Sequence, residues 1–164
     1  LRLPGIDGKA KMSKSLGNCI YLSDSEEDVQ KKVFNMYTDP NHIKVSDPGS
    51  LEGNTVFIYL DAFSRPEHFA EFLPEYQNLD ELKAHYQRGG LGDVKVKKFL
   101  NNVMQAELGP IRERRKMWEQ RTADVFDILK AGTEVAREKA AATLHDVRSS
   151  MRINYFEDQD FLNQ

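Results

Sequence analysis

Along this chain the apolar residues recur at three- and four-residue spacing in several stretches, the period of helices with one buried face. Residues 1–20 lack that pattern and read as a loop, with Pro4, Gly5, Asp7 and Gly8, then a polar basic run, then Gly17-Asn18. Ser23 followed by Glu26 is a capping-box pattern, and Val29, Val33, Met36 and Tyr37 then share a helical face. That helix should stop before Asp39-Pro40, because a residue preceding proline is driven toward extended geometry. Residues 39–54, with two prolines, two glycines and two asparagines, read as a connecting loop. The short apolar run from Thr55 to Phe63 fits a strand or a buried helix. Helix is preferred, since Asn54 or Thr55 can cap it and Asp61-Ala62 is poor strand composition.

A further helical segment covers about residues 80–87 and ends at Arg88-Gly89-Gly90. Asp93 then caps an amphipathic helix whose stripe is Val96, Phe99, Leu100, Val103, Met104 and Leu108. Gly109-Pro110 should break it, with Pro110 as the first residue of the next helix. That next helix is expected to run to about Ala131, with Ile111, Trp118, Val125 and Leu129 inward and Gly132 as its stop. Thr133 would start another, striped by Ala136, Ala140, Leu144, Val147 and Met151. The last dozen residues are mixed and acidic and are expected to fray. The pattern therefore predicts a mainly α protein with an antiparallel bundle of helices in its second half.

The chain has 164 residues, which at about 100–200 residues per domain allows one domain or one plus part of a neighbour. Apolar residues make up 40% and charged residues 30%, enough for a real core in a soluble protein. No stretch approaches the ~20 apolar residues of a membrane span. The opening Leu-Arg-Leu-Pro-Gly does not read as a signal peptide, and a chain that opens on Leu1 suggests a piece of a longer protein. A single cysteine, Cys19, excludes a disulfide framework and fits a reducing cytoplasm.

The net charge of −3 hides a division. Residues 1–20 carry four basic and one acidic side chain, residues 21–82 four and thirteen, and residues 83–121 ten and four. The basic stretch can meet a polyanion, or it can pair internally with the acidic stretch before it.

The chemistry concentrates in Gly5-Ile6-Asp7-Gly8-Lys9-Ala10-Lys11-Met12-Ser13-Lys14-Ser15-Leu16-Gly17-Asn18. Two lysines three apart, interleaved with hydroxyls and bounded by glycines, supply donors for phosphate oxygens on a loop that can approach a ligand closely. Such a loop suits a reaction that builds negative charge on a polyphosphate. It is not a P-loop, because Gly8-Lys9 is followed by Ala10 and the first-glycine position is Leu3. Gly90-Leu91-Gly92 lacks the third glycine of a dinucleotide fingerprint and reads as a turn between helices.

Lys11-Met12-Ser13-Lys14-Ser15 is identical to the KMSKS signature of class I aminoacyl-tRNA synthetases. With Pro4-Gly5-x-Asp7-Gly8 before it and Leu16-Gly17-Asn18 after it, the segment resembles bacterial tryptophanyl-tRNA synthetases. Met36-Tyr37-Thr38-Asp39-Pro40, Gly53-Asn54-Thr55-Val56-Phe57, Arg88–Lys95 and Pro110–Arg115 add to that resemblance, which covers roughly residues 3–120. It implies a KMSKS loop from the end of a Rossmann-type catalytic domain (residues 1–20), a helical anticodon-binding domain (21–152) and a tail (153–164). It also implies a homodimeric enzyme that activates tryptophan with Mg-ATP and transfers it to tRNA-Trp. Lys11 and Lys14 would stabilise the departing pyrophosphate, Ser13 and Ser15 would add hydroxyl donors, and the backbone near Met12 would lie against the adenine.

One part of the family pattern is missing. The His-x-Gly-His type ATP signature is absent, since none of His42, His68, His85 and His145 begins it. The expectation is a C-terminal portion of the enzyme that forms no tryptophanyl-adenylate by itself. The alternatives are a helical RNA-binding module without catalytic duty and a helical interaction domain without RNA affinity.

The expected phosphate contacts for tRNA are Lys95, Lys98, Arg112 and Arg115, with Lys95, Lys98 and Arg112 placed off the apolar stripe. Residues 1–20 are expected to be mobile when separated from a catalytic domain. Trp118 and Phe126 can stack on a base, although core packing is the favoured reading. No metal ligand set is expected: His42 lies near Asp39 and Asp47 but has no second histidine at ligand spacing.

Overall fold

The computed structural model describes residues 3–155. The described residues form six helices and no strand: α1 (Glu26–Phe34), α2 (Thr55–Phe63), α3 (Pro66–Phe72), α4 (Leu79–Arg88), α5 (Asp93–Glu119) and α6 (Thr122–Ser150). Two compact units divide the chain, Leu1–Arg115 and Lys116–Gln164.

Caps set most helix starts in the first unit. The α1 cap is Ser25 rather than the expected Ser23: its Oγ accepts from Asp28 N–H at 3.1 Å and donates to the Asp28 carboxylate at 2.7 Å. The stripe behind it holds, with Val29, Val33 and Met36 buried, while Tyr37 is 41% exposed. The run from Thr55 is a helix, and Asn54 caps it by accepting from Val56 N–H. Sequence periodicity missed α3, a seven-residue helix opened by Pro66.

One core joins these helices: Val29 and Val33 from α1, Val56, Phe57, Tyr59 and Leu60 from α2, Phe69 from α3, Leu82 and Tyr86 from α4, and the expected α5 stripe. Tyr86 is its polar hinge. Its hydroxyl donates to Asp93 Oδ1 at 2.7 Å, and Asn54 donates to that hydroxyl at 3.3 Å. His42 Nδ1 meets the other Asp93 oxygen at 3.1 Å. These bonds tie the 39–54 loop to the start of α5. Asp93 is thus the first residue of the helix, with its carboxylate engaged by Tyr86 and His42.

The expected break at Gly109-Pro110 does not occur. α5 runs through Pro110. Gly109 has no Cβ for the proline ring to strike, and Leu108 and Ile111 pack on the core on either side. The missing N–H still leaves the Ala106 carbonyl without its intrahelical donor. Pro110→Ala is accordingly expected to raise stability by about 1–2 kcal/mol, read from urea unfolding at unchanged slope.

The second unit also departs from expectation. The interruption falls at residues 120–121, where Arg121 donates to Asp124 at 2.6 Å and Thr122 to the Glu119 carbonyl at 3.2 Å. Gly132 lies inside α6, so the helices expected to end at Ala131 and to begin at Thr133 are one. A lone glycine costs only about 1 kcal/mol, and the alanine-rich stretch beyond it propagates well. No residue of α6 is buried. Leu129, Leu144, Val147 and Met151, expected inward, are all exposed.

Candidate functional site

The KMSKS segment is a folded loop set on the first core. Met12 and Ile20 pack partly against that core. Pro4 and Lys11 form an isolated antiparallel bridge, and Gly5 N–H donates to the Ala10 carbonyl at 2.7 Å. Two tyrosines hold it from the helical side: Tyr59, a core residue, donates its hydroxyl to the Pro4 carbonyl at 2.8 Å, and Tyr37 N–H donates to the Ile6 carbonyl at 2.9 Å. Burial, helped by the nearby Cys19 and Asp7, pushes the Tyr59 phenol up to about 12. It therefore remains a hydrogen-bond donor at any working pH. At the tip, Gly17 N–H closes a turn on the Lys14 carbonyl at 3.1 Å with φ +64, a left-handed conformation that favours glycine.

The side chains at this tip are presented outward. Lys11, Lys14 and Ser15 are exposed, and Met12 and Ser13 are half-buried. The hydroxyls of Ser13 and Ser15 lie 2.9 Å apart, so sequence spacing and loop geometry bring them together. Asp7 is the one carboxylate within residues 1–20. It faces Asn18 Nδ2, 3.3 Å from each oxygen, and Lys9 N–H at 3.3 Å. Burial works to raise its pKa but is outweighed by donors from Lys9, Asn18 and Ala10, which leave it lowered. The acid is thus engaged within the loop base. Among the described residues, the ammonium groups of Lys11 and Lys14 make no ion pair. Two cations and two hydroxyls on one turn can bind an anion with several oxygens.

Beside the tip lies a groove of about 420 Å³, walled by Met12–Lys14, Cys19–Ser23 and Arg115. Arg115 was expected among the tRNA contacts, and the structure places it at the loop. The other three candidates are dispersed. Lys95 pairs with Glu75 at 2.6 Å and lies 5.6 Å over the Tyr76 ring. Lys98, one turn further on, is exposed and makes no ion pair among the described residues. Arg112 does not project from the helix as expected: its side chain is 11% exposed, donates to Gln105 at 2.7 Å and lies 3.5 Å from Glu26. Lys83 pairs with Asp61 as well, so Lys83, Lys95 and Arg112 of the basic stretch each meet a carboxylate of the acidic one.

Trp118 and Phe126, favoured as core residues, are not buried. Trp118 lies under the Arg121 guanidinium at 4.9 Å, and Phe126 is 66% exposed. Cys19 is buried and unbridged. Among the described residues no group of three or more His, Cys, Asp or Glu side chains is placed to hold a metal, and His42 is bonded to Asp93 instead. No described helix is long and apolar enough to cross a membrane. The sequence reading missed the roles of Asp7 and Asn18 in this loop. Both stood in the motif, but only the fold shows which backbone groups they hold.

The family described as tRNA synthetases class I (W and Y) matches residues 2–109. The chain belongs to that family. Within it, the tryptophan–tRNA ligase of Clostridium longisporum is 59% identical over 155 residues, covering 94% of this chain and 43% of the relative. The ligase of Streptococcus mutans is 56% identical over 155 residues, covering 94% of this chain and 44% of its own length. Among solved structures, the tryptophanyl-tRNA synthetase from Campylobacter jejuni complexed with ADP and tryptophan superposes with a TM-score of 0.71. It is 26% identical, over 92% of this chain and 43% of that one. The chain thus spans less than half the length of these synthetases. The resemblance to tryptophan rather than tyrosine enzymes agrees with these relatives.

Proposed function

We propose that this chain is the part of a tryptophan–tRNA ligase that supplies the phosphate-facing loop and a helical surface for tRNA. The observation that carries this reading is the braced loop with Lys11 and Lys14 exposed and making no ion pair among the described residues, while its own carboxylate is engaged within the loop. In the reaction, the tryptophan carboxylate attacks the α-phosphorus of ATP. The new O–P bond forms as the bridge to the β-phosphate breaks, and pyrophosphate departs with the electron pair. Negative charge grows on that leaving group, so Lys11 and Lys14 act most strongly in the transition state, with the Ser13 and Ser15 hydroxyls donating beside them. Mg²⁺ arrives with the nucleotide as substrate. The groove along Met12 fits the adenosine end by size, and its Ile20 and Leu22 walls suit a flat apolar face.

The second substrate is tRNA-Trp, and the working form is a homodimer in the cytoplasm. Lys98, and Lys95 if it releases Glu75, are the phosphate contacts this reading keeps. Arg112 serves the fold, and Arg115 serves the loop groove. Binding of this chain to tRNA-Trp should weaken with salt, and Lys98→Ala should lower the salt slope by about 1 in a filter-binding series. Salt-insensitive or absent binding would make this helical surface structural only.

The catalytic half of the reading is tested in a chimera in which this chain replaces the matching part of the Clostridium longisporum ligase. Tryptophan-dependent pyrophosphate exchange by the chimera is the expected result. A folded, dimeric chimera without exchange would sink it.

A further inference from the structure

Asn18 stands apart from the groups assigned above. The residue is 4% exposed, and both polar atoms of its side chain are used within the loop. The carboxamide oxygen accepts from Ser13 N–H at 2.8 Å. The carboxamide nitrogen donates to Asp7, 3.3 Å from either oxygen, and lies 3.4 Å from the Lys11 carbonyl. Asn18's own carbonyl accepts from Ile6 N–H at 2.9 Å. One side chain therefore holds the backbone of Lys11 and of Ser13, the residues on either side of Met12, and Ser13 immediately precedes Lys14.

The space around it is made by glycine. A Cβ built on Gly5 would collide with the Asn18 carboxamide and with an Asp7 oxygen at 2.8 Å. An amide is also the group this position needs. It must accept from an N–H, donate to a carboxylate and reach a backbone carbonyl, and a carboxamide does this from two separate atoms without titrating, where a hydroxyl has only one oxygen.

We infer that Asn18, oriented by Asp7, is a positioning residue that fixes the Lys11–Lys14 backbone so that both lysines face one polyphosphate. The inference rests on the phosphate reading of the loop. It also assigns the Ser13 N–H to Asn18, so the loop meets phosphate through its lysine and serine side chains and not through that amide. The Asp7–Asn18 pair has a direction, from carboxamide to carboxylate, and that direction can be reversed.

The test uses the 164-residue chain in three forms: unaltered, Asn18→Asp, and Asn18→Asp combined with Asp7→Asn. The single substitution keeps an acceptor for Ser13 N–H but faces Asp7 with a second carboxylate. The double substitution restores one donor and one acceptor across the contact between residues 7 and 18 and keeps the acceptor for Ser13 N–H, while the Lys11 carbonyl stays without its donor. Amide exchange and titration with tripolyphosphate are followed by NMR. In the single variant the Ser13 amide should exchange about tenfold faster, tripolyphosphate should bind several-fold more weakly, and amides in α2 and α4 should be unchanged. The double variant should return both toward the unaltered chain.

Equal tripolyphosphate affinity in the unaltered chain and Asn18→Asp would overturn the inference while leaving the phosphate reading intact. So would failure of the double variant to restore binding. No binding by the unaltered chain would remove the phosphate reading and the inference with it. If α2 and α4 amides also open in the single variant, Gly5→Ala carries the test, because its methyl displaces the carboxamide from above. Retained affinity in that protein would count against Asn18 in the same way.

Discussion

In the chimeric ligase, Lys14→Ala is expected to lower pyrophosphate exchange by about 10²–10³-fold, the cost of removing one donor aimed at transition-state charge. The Michaelis constant for ATP should change far less, because the γ- and β-phosphates carry less uncompensated charge before the bridge breaks. The fold gives no reason for a confounding loss of stability. Lys14 is exposed and makes no ion pair among the described residues, and the turn at the tip uses its backbone carbonyl, not its ammonium. Lys14→Arg should recover part of the rate, since a guanidinium keeps the charge but not its compact position. A fall shared equally between turnover and ATP affinity would place Lys14 in ground-state binding. A fall under tenfold would take it out of the chemical step.

Tyr86→Ala is expected to cost about 3–5 kcal/mol in urea unfolding, as for other buried aromatic truncations. Its ring is fully buried, with Phe57 and His42 centroids each 4.8 Å away. A Cβ on Gly49 would strike the same ring, so the 39–54 loop is fitted to this side chain. Burial, then the bonded Asp93 carboxylate, pushes the phenol upward, so the hydroxyl stays a donor. Tyr86→Phe keeps the packing and leaves Asp93 and Asn54 each short of a partner, for about 1–2 kcal/mol. The difference between the two variants separates ring packing from the polar hinge. Equal losses would assign the whole effect to the hydroxyl network.

What could be read beforehand follows from the range of the interactions involved. The stripes of α1 and α5 and the Asn54 cap depend on residues within one or two turns, so they were legible, as was the KMSKS motif; the stripe expected inward on α6 was not, since no residue of that helix is buried. Ser23 and Ser25 offer nearly the same local signal, and the geometry at Asp28 decides between them. α3 was invisible because seven residues carry too little periodicity. The break at Pro110 and the stop at Gly132 were local penalties of about 1–3 kcal/mol. They were overruled by packing of Leu108 and Ile111 in the first case and by alanine-rich propagation in the second.

The residues alone established a mainly helical chain, the family of its loop, and the presence there of two lysines and two hydroxyls. Tertiary structure decided which charges remain for a ligand. Arg112 and Glu26, Lys83 and Asp61, and Lys95 and Glu75 meet only after segments distant in sequence pack, and those ion pairs remove cations that composition counts as available. It also decided what steadies the loop, since the Asn18 carboxamide finds Asp7 and Ser13 only once the chain has turned back on itself. Residue type sets what a group can donate or accept, but only folding brings in the partner that uses it.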